Sequence, residues 1–158
     1  MDQDQVLARI SALESELALL RKSMEQPKSE ELLKFDDEKK IAFGWGYVAK
    51  DRSGRQIVDF SGDVVTQGHY LEDAAYDFVV RSRAGDARHD SKPVATLVES
   101  VVFTPEKLRA MGVPEGVLPS AGWWTGMKVL DPQTWDDVRS GKLKAFSVGG
   151  RGVRVDLR

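Results

Sequence analysis

The stretch IAFGWGYV, residues 41–48, decides the kind of fold that this chain adopts. Bulky residues alternate along it with small ones, and this period of two predicts a β-strand with one bulky face. The glycines on the other face allow a second backbone to approach closely, or let the strand bend as at the corner of a barrel. The stretch therefore predicts the first strand of a sheet. Its bulky positions are Ile41, Phe43, Trp45 and Tyr47.

The sequence after residue 50 predicts further strands and helices. Residues 94–103 form a nearly continuous apolar, β-branched run, which is typical of a strand buried on both faces. Apolar residues at helical spacing predict an amphipathic helix over residues 70–82 that covers the sheet. The other predicted elements are a returning strand over 56–60, a short helix over 104–111 capped by Thr104, a strand over 123–130, a helix over 132–139, and strands over 144–148 and 153–157.

The first residues of the chain carry a different pattern. Apolar residues recur at spacings of three and four over residues 6–24 with polar residues between them, which predicts a heptad helix. A stripe this narrow favours self-association or docking on a partner helix, although a helix folded back on its own domain also fits. We expect a coiled-coil helix at 1–26, a charged linker at 27–40 and a folded domain at 41–158. The apolar positions are Val6, Ile10, Leu13, Leu17, Leu20 and Met24.

Length and composition exclude several classes of function. The chain has 158 residues, which suits one domain of ordinary size. Its 23 basic and 25 acidic side chains give a formal net charge of -2, so electrostatics indicates neither a nucleic-acid nor an anionic-membrane partner. The absence of cysteine removes disulfides, thiol nucleophiles and cysteine-bound metals. No apolar run has the length of a membrane span, and we expect an intracellular protein.

A serine nucleophile with a histidine base is the simplest catalytic arrangement for this composition. Ser147 lies in FSVGG, where its apolar neighbours anchor one strand face while Ser147 points to the other. Backbone N–H groups at Gly149 and Gly150 would stabilise an oxyanion, at about 3 kcal/mol per donor. His89, in DARHD, is the candidate base, while His69 fits a turn or a helix cap. From the local pattern alone, Ser147 also fits a hairpin residue and His89 a surface residue.

Two acidic residues are candidates for the group that orients the histidine. Alternation along the predicted strand places Glu99 on an apolar face with Leu97, Val101 and Phe103, where an ionised carboxylate needs a partner. An imidazole, an arginine or backbone N–H groups would each satisfy it. Asp156, which follows Ser147 in the chain, is the other acid to test.

Other kinds of site fit the sequence poorly. His89 with Asp86 and Asp90 offers only three metal ligands in one loop, and the usual zinc spacings are absent. The cluster GGRG at residues 149–152 precedes a predicted strand rather than a helix, so it lacks the helix dipole that helps to hold a phosphate.

A series of short segments gives a more specific indication. The chain carries GWGYV at 44–48, GDVV at 62–65, AAYDF at 74–78, HD at 89–90, VES at 98–100, WWTGMKV at 123–129 and FSVGG at 146–150. In order and spacing these segments resemble the XkdF-like phage serine proteases, which are grouped with the prohead (capsid maturation) proteases. The resemblance covers about residues 41–152.

The resemblance implies an α+β fold in which a small, mostly antiparallel β-barrel with flanking helices is similar to herpesvirus assemblin. It also implies a serine endopeptidase that cuts scaffold and capsid proteins inside the immature phage prohead, in the host cytoplasm, without a cofactor. By position, Ser147 matches the family's nucleophile, His89 its histidine and Glu99 its acid. Asp156 remains the alternative acid. Arg88 departs from the family pattern, and we expect that a C-terminal segment of the family's domain could lie beyond Arg158.

Two alternatives remain open at this point. The first is a non-catalytic capsid-assembly or scaffold-interaction protein that acts through the coiled coil at residues 6–24. The second is an unrelated esterase, although the pattern G-x-S-x-G is not present. In the protease hypothesis, residues 6–24 tether the enzyme to scaffold helices or to a second copy.

Overall fold

The computed structural model describes residues 9–10, 13–15, 32–58, 62–65, 68–87 and 92–146. The fold is α+β. Residues 9, 10 and 13–15 are helical, and the rest of the predicted heptad helix lies outside the described residues. The other elements, in chain order, are β1 (Leu32–Asp36), β2 (Ile41–Lys50), α1 (Gly68–Arg81), β3 (Ala84–Gly85), β4 (Ala95–Phe103), α2 (Pro105–Ala110), β5 (Ala121–Val129) and α3 (Pro132–Arg139).

The five strands form one antiparallel sheet in the order β1-β2-β5-β4-β3. The predicted barrel is wrong, because the sheet of the described residues is open. Its edge strands are β1 and β3, and β3 pairs with only two residues of β4. Among the described helices, none is long and apolar enough to cross a membrane.

Two strand predictions near β2 also differ from the structure. Residues 32–36, which we assigned to a charged linker, form β1, because the segment LLKFD pairs with β2 and Phe35 contacts Trp135 edge to face, with ring centroids 6.0 Å apart. A tight turn joins the two strands, in which Asp36 Oδ1 accepts from Lys39 N at 2.9 Å and Lys40 has a φ of 53°. The predicted returning strand over 56–60 is reduced, within the described residues, to an isolated bridge between Lys50 and Gln56.

The helices predicted over 70–82, 104–111 and 132–139 are confirmed, and two of them begin with a capping side chain, of which Thr104 is the expected one. In α2, Thr104 Oγ1 accepts from Lys107 N at 3.3 Å. In α3, Asp131 Oδ2 accepts from Thr134 N at 2.7 Å. These side chains satisfy backbone donors that the first helical turn leaves free, and proline at the first position suits such a start.

Helices α1 and α3 pack on one side of the sheet, which we call the covered face. Ala75 of α1 is completely buried there, and Phe78 contacts Trp123 of β5 edge to face, with ring centroids 5.7 Å apart. Trp135 of α3 is buried, and its Nε1 donates to Asp37 Oδ1 at 3.0 Å. The apolar stripes of the helices therefore cover the sheet as the spacing predicts.

A β-bulge in β4 changes which side chains share a face. Leu97 pairs with Met127 and Glu99 pairs with Gly126, so Val98 is an extra residue between them. An extra residue turns everything beyond it to the opposite side of the sheet. The prediction that Glu99 lies on one face with Leu97 is therefore wrong, and Val98 and Glu99 are exposed rather than buried on both faces.

Candidate active site

A cavity of about 270 Å³ lies between α1, α3 and the covered face of the sheet. The sheet contributes Ala42, Thr125 and Met127, α1 contributes Phe78, and α3 contributes Val138. The cavity extends to β3 and to the segment 143–146 that follows α3. It is therefore bounded by the sheet, by α1 and α3, and by the chain on both sides of them.

Small residues account for the existence of this space. Ala42, Gly46 and Ala95 line it from the sheet, and their side chains are too short to reach the helices. A Cβ at Gly85 would lie 2.5 Å from Cε of Met127, so only glycine lets this methionine extend to the edge strand. The cavity thus follows from a few small side chains in an otherwise bulky sheet.

Two threonines supply the hydroxyl groups at the cavity wall. Thr125 Oγ1 donates to the carbonyl oxygen of Gly44 at 3.3 Å, and Thr134 Oγ1 donates to Asp131 Oδ2 at 2.6 Å. The bond from Thr134 is the main reason why the pKa of Asp131 is lowered from its ordinary value. Both hydroxyl protons are therefore used within the protein.

The loop that carries His89 begins at this cavity. Asp86 and Ala87 line it, and His89 itself lies outside the described residues. Both ends of the loop are fixed to the sheet, because Val94 N donates to Gly85 O at 2.9 Å and Leu130 N donates to Val94 O at 2.8 Å. The described residues on both sides of His89 are therefore held by the sheet.

The segment that leads to Ser147 reaches the same cavity. Ala145 and Phe146 line it, while Ser147 and the expected oxyanion donors at residues 149–150 lie outside the described residues, as does Asp156. Phe146 and Leu143 pack against the hydrophobic core. Leu143 N also donates to the carbonyl oxygen of Asp137 at 2.9 Å, which ties the segment to the end of α3.

Glu99 lies on the opposite face of the sheet from the cavity. Its Oε1 accepts from Trp124 Nε1 at 2.9 Å, so the carboxylate has the partner that we expected it to need. Around it, Trp45 contacts Trp124 and Phe103 edge to face, at centroid distances of 5.4 and 5.8 Å. Glu99 could orient the histidine only if the histidine reached the side of the sheet that lies away from the cavity. The role of Glu99 as the orienting acid stays a prediction.

Asp86 is the only ionisable residue among the described residues that line the cavity. We considered it in the sequence only as a metal ligand, but its place three residues before His89 could have identified it as a third candidate acid, beside Glu99 and Asp156. No group of three or more acidic or histidine side chains within the described residues could hold a metal ion. His69 is exposed in the first turn of α1, where its ring contacts Tyr70.

Comparison with known proteins identifies a family. A family model described as "Putative phage serine protease XkdF" matches residues 28–156. The match covers most of the chain and confirms the resemblance that the order of the short segments indicates. Neither a curated protein nor a solved structure matches the chain significantly.

Proposed function

The chain belongs to the XkdF family of phage serine proteases, and from this premise we propose that it is a serine endopeptidase of the immature phage prohead. Its substrates in this proposal are scaffold and capsid proteins. One observation carries the proposal beyond the family name. Ala87, two residues before His89, and Phe146, one residue before Ser147, line the same cavity. Consecutive Cα atoms lie about 3.8 Å apart, so both reacting residues begin close to that cavity.

The proposed chemistry is acyl transfer. The Ser147 oxygen attacks a peptide carbonyl while His89 takes the proton of the hydroxyl. His89 then gives that proton to the leaving amine. Backbone N–H groups near Gly149 and Gly150 stabilise the oxyanion. Water, activated by the same imidazole, then releases the acyl group and restores the enzyme. The orienting acid is Glu99 or Asp156 in the family pattern, and the reaction uses no cofactor.

The N-terminal helix supplies localisation in this proposal. Residues 6–24 dock on scaffold helices or on a second copy of the chain, which raises the concentration of protease at its substrates inside the prohead. Within the described part of this helix, Ile10 and Leu13 are exposed, at 47% and 56% of their surface, so these apolar side chains are open to a partner. Deletion of residues 1–26 should abolish packaging into the shell but leave cleavage of a free peptide intact. Loss of peptide cleavage in the deletion would contradict the tether.

The test of the protease function is co-expression with the capsid and scaffold proteins of the same phage. Wild type should give a shortened band, while Ser147→Ala and His89→Ala should not. Ser140→Ala is the matched control, because Ser140 is an exposed serine at the end of α3 and should be dispensable. Cleavage that survives in Ser147→Ala would refute the mechanism. Normal shell assembly with no cleavage even by wild type would favour the non-catalytic assembly protein.

A further inference from the structure

We propose that the 270 Å³ cavity is the primary specificity pocket of this protease and that it takes an apolar side chain, either aromatic or large and aliphatic. The side chain would belong to the substrate residue whose carbonyl is attacked, the P1 residue. This inference rests on the proposed protease function. It adds the class of peptide bond that the enzyme cuts.

The size of the cavity fits one such side chain. A protein cavity of about 150 Å³ is large enough to bind benzene. The cavity here, at about 270 Å³, therefore has room for an aromatic ring or a large branched aliphatic group together with its Cβ. Alanine or glycine at P1 would leave most of the space unfilled.

The walls favour an apolar occupant. Apart from Asp86, the described side chains that line the cavity are uncharged, and both threonine hydroxyls donate inside the protein. A charged side chain in the interior would lose its hydration and gain no opposite charge, which is unfavourable. Asp86 is exposed, so it belongs to the rim rather than to the interior.

The position of the cavity relative to the expected chemistry supports the same assignment. Ala87 and Phe146 form parts of its lining and precede the proposed base and nucleophile by two residues and one residue. A peptide whose P1 side chain enters the cavity would present its carbonyl at the rim. The proposed nucleophile, Ser147, follows Phe146 directly in the chain and is therefore one residue from this lining.

The test fills the cavity from its wall. Ala42 lines the cavity and is only 1% exposed, so Ala42→Val and Ala42→Leu should occupy it in two steps. Reactivity is measured with peptidyl diphenyl phosphonates that carry Ala, Leu or Phe at P1. Wild type should prefer Phe or Leu over Ala by about tenfold or more, and Ala42→Leu should remove that preference, with Ala42→Val intermediate. Ala74→Leu, on the exposed side of α1, is the control and should keep the wild-type preference.

Two further measurements separate failure of this inference from failure of the proposed function. An alkyl fluorophosphonate without a P1 side chain labels a reactive serine, so its failure to label wild type would count against the protease and hence against the pocket's role. Toluene binding, followed by NMR, reads the cavity itself and should be lost in Ala42→Leu. An unchanged P1 preference in a folded Ala42→Leu that labels normally, or toluene binding equal to wild type, would overturn the pocket assignment.

Discussion

The carboxylate of Asp51 stabilises the turn that follows β2, and we predict how much stability the domain loses when this carboxylate is removed. Asp51 is 4% exposed. Its Oδ1 accepts from Ser53 N at 2.9 Å, from Ser53 Oγ at 2.6 Å and from Arg55 N at 2.9 Å, and its Oδ2 accepts from Arg55 Nε at 3.1 Å. The carbonyl oxygen of the same residue accepts from Ser120 N at 3.1 Å, which joins the turn to the loop before β5.

The expected loss of stability in Asp51→Ala is about 3 kcal/mol. Hydrogen bonds to a charged group contribute roughly 1.5–3 kcal/mol each, but they are not additive. The Ser53 hydroxyl and the Arg55 guanidinium belong to exposed residues and can turn to water, so only the two backbone donors lose their acceptor outright. For a domain of this size, about 3 kcal/mol corresponds to a decrease in Tm of roughly 6–12 °C.

The effect should depend on pH in a definite direction. The hydrogen bond from the Ser53 hydroxyl is the main cause that lowers the pKa of Asp51 from its ordinary value. A group whose pKa is lower in the folded state stabilises the fold at pH values above its unfolded pKa, near 3.9 for aspartate. That contribution is lost as the pH falls through the lower folded value. The difference between wild type and Asp51→Ala should therefore be full at pH 7 and decrease below about pH 4.

Urea unfolding followed by tryptophan fluorescence, at pH 7 and near pH 3, measures both quantities. Asp73→Ala is the control, because Asp73 is exposed on α1, and it should change the free energy of unfolding by no more than about 0.5 kcal/mol. A loss below about 1 kcal/mol in Asp51→Ala at pH 7, or the same loss at both pH values, would refute the reasoning.

Three further predictions concern other contacts. If an acid at the cavity orients the histidine, Asp86→Asn should lower kcat for cleavage of a free peptide more than Glu99→Gln does; the reverse order would favour the family assignment of Glu99. Lys107 Nζ donates to Glu72 Oε1 at 2.5 Å, and Lys107→Met should cost no more than about 1 kcal/mol by urea unfolding because the lysine is partly exposed; a larger cost would show that this pair is more shielded than its exposure indicates. A Cβ at Gly126 would lie 2.9 Å from Cβ of Glu99, so Gly126→Ala should lower the free energy of unfolding by roughly 1–3 kcal/mol. A neutral effect in urea unfolding would mean that β4 and β5 separate easily at this position.

The helices were predictable from the sequence because their signals are local. Thr104 followed by Pro105 marks the start of α2, and this cap forms as expected; Asp131 followed by Pro132 is the same local pattern at the start of α3. The amphipathic spacing over α1 depends only on residues within one element. Such patterns require no knowledge of the rest of the fold.

The sheet was less predictable because pairing is not local. The strand β1, LLKFD, is short and stands within a stretch rich in charged residues, and its pairing with β2 defines it as a strand. Periodicity also could not reveal the bulge at Val98, because an alternating pattern does not show where the partner strand skips a residue. For the site, the sequence identified His89 and Ser147 as candidates but did not indicate that the segments before them line one cavity. The two segments meet there because of the positions of β3 and α3 in the fold.

The bulge in β4 divides this strand into two halves whose side-chain alternation is out of phase. Leu97 and Glu99 already lie on opposite faces, so loss of Val98 alone would make them neighbours in strict alternation, and no other residue would have to change face. Leu97 would stay opposite Met127, and the residues from Glu99 onward would keep their partners on β5. A deletion of one codon should thus be tolerated better here than at a paired position of the same strand, where it would shift the register.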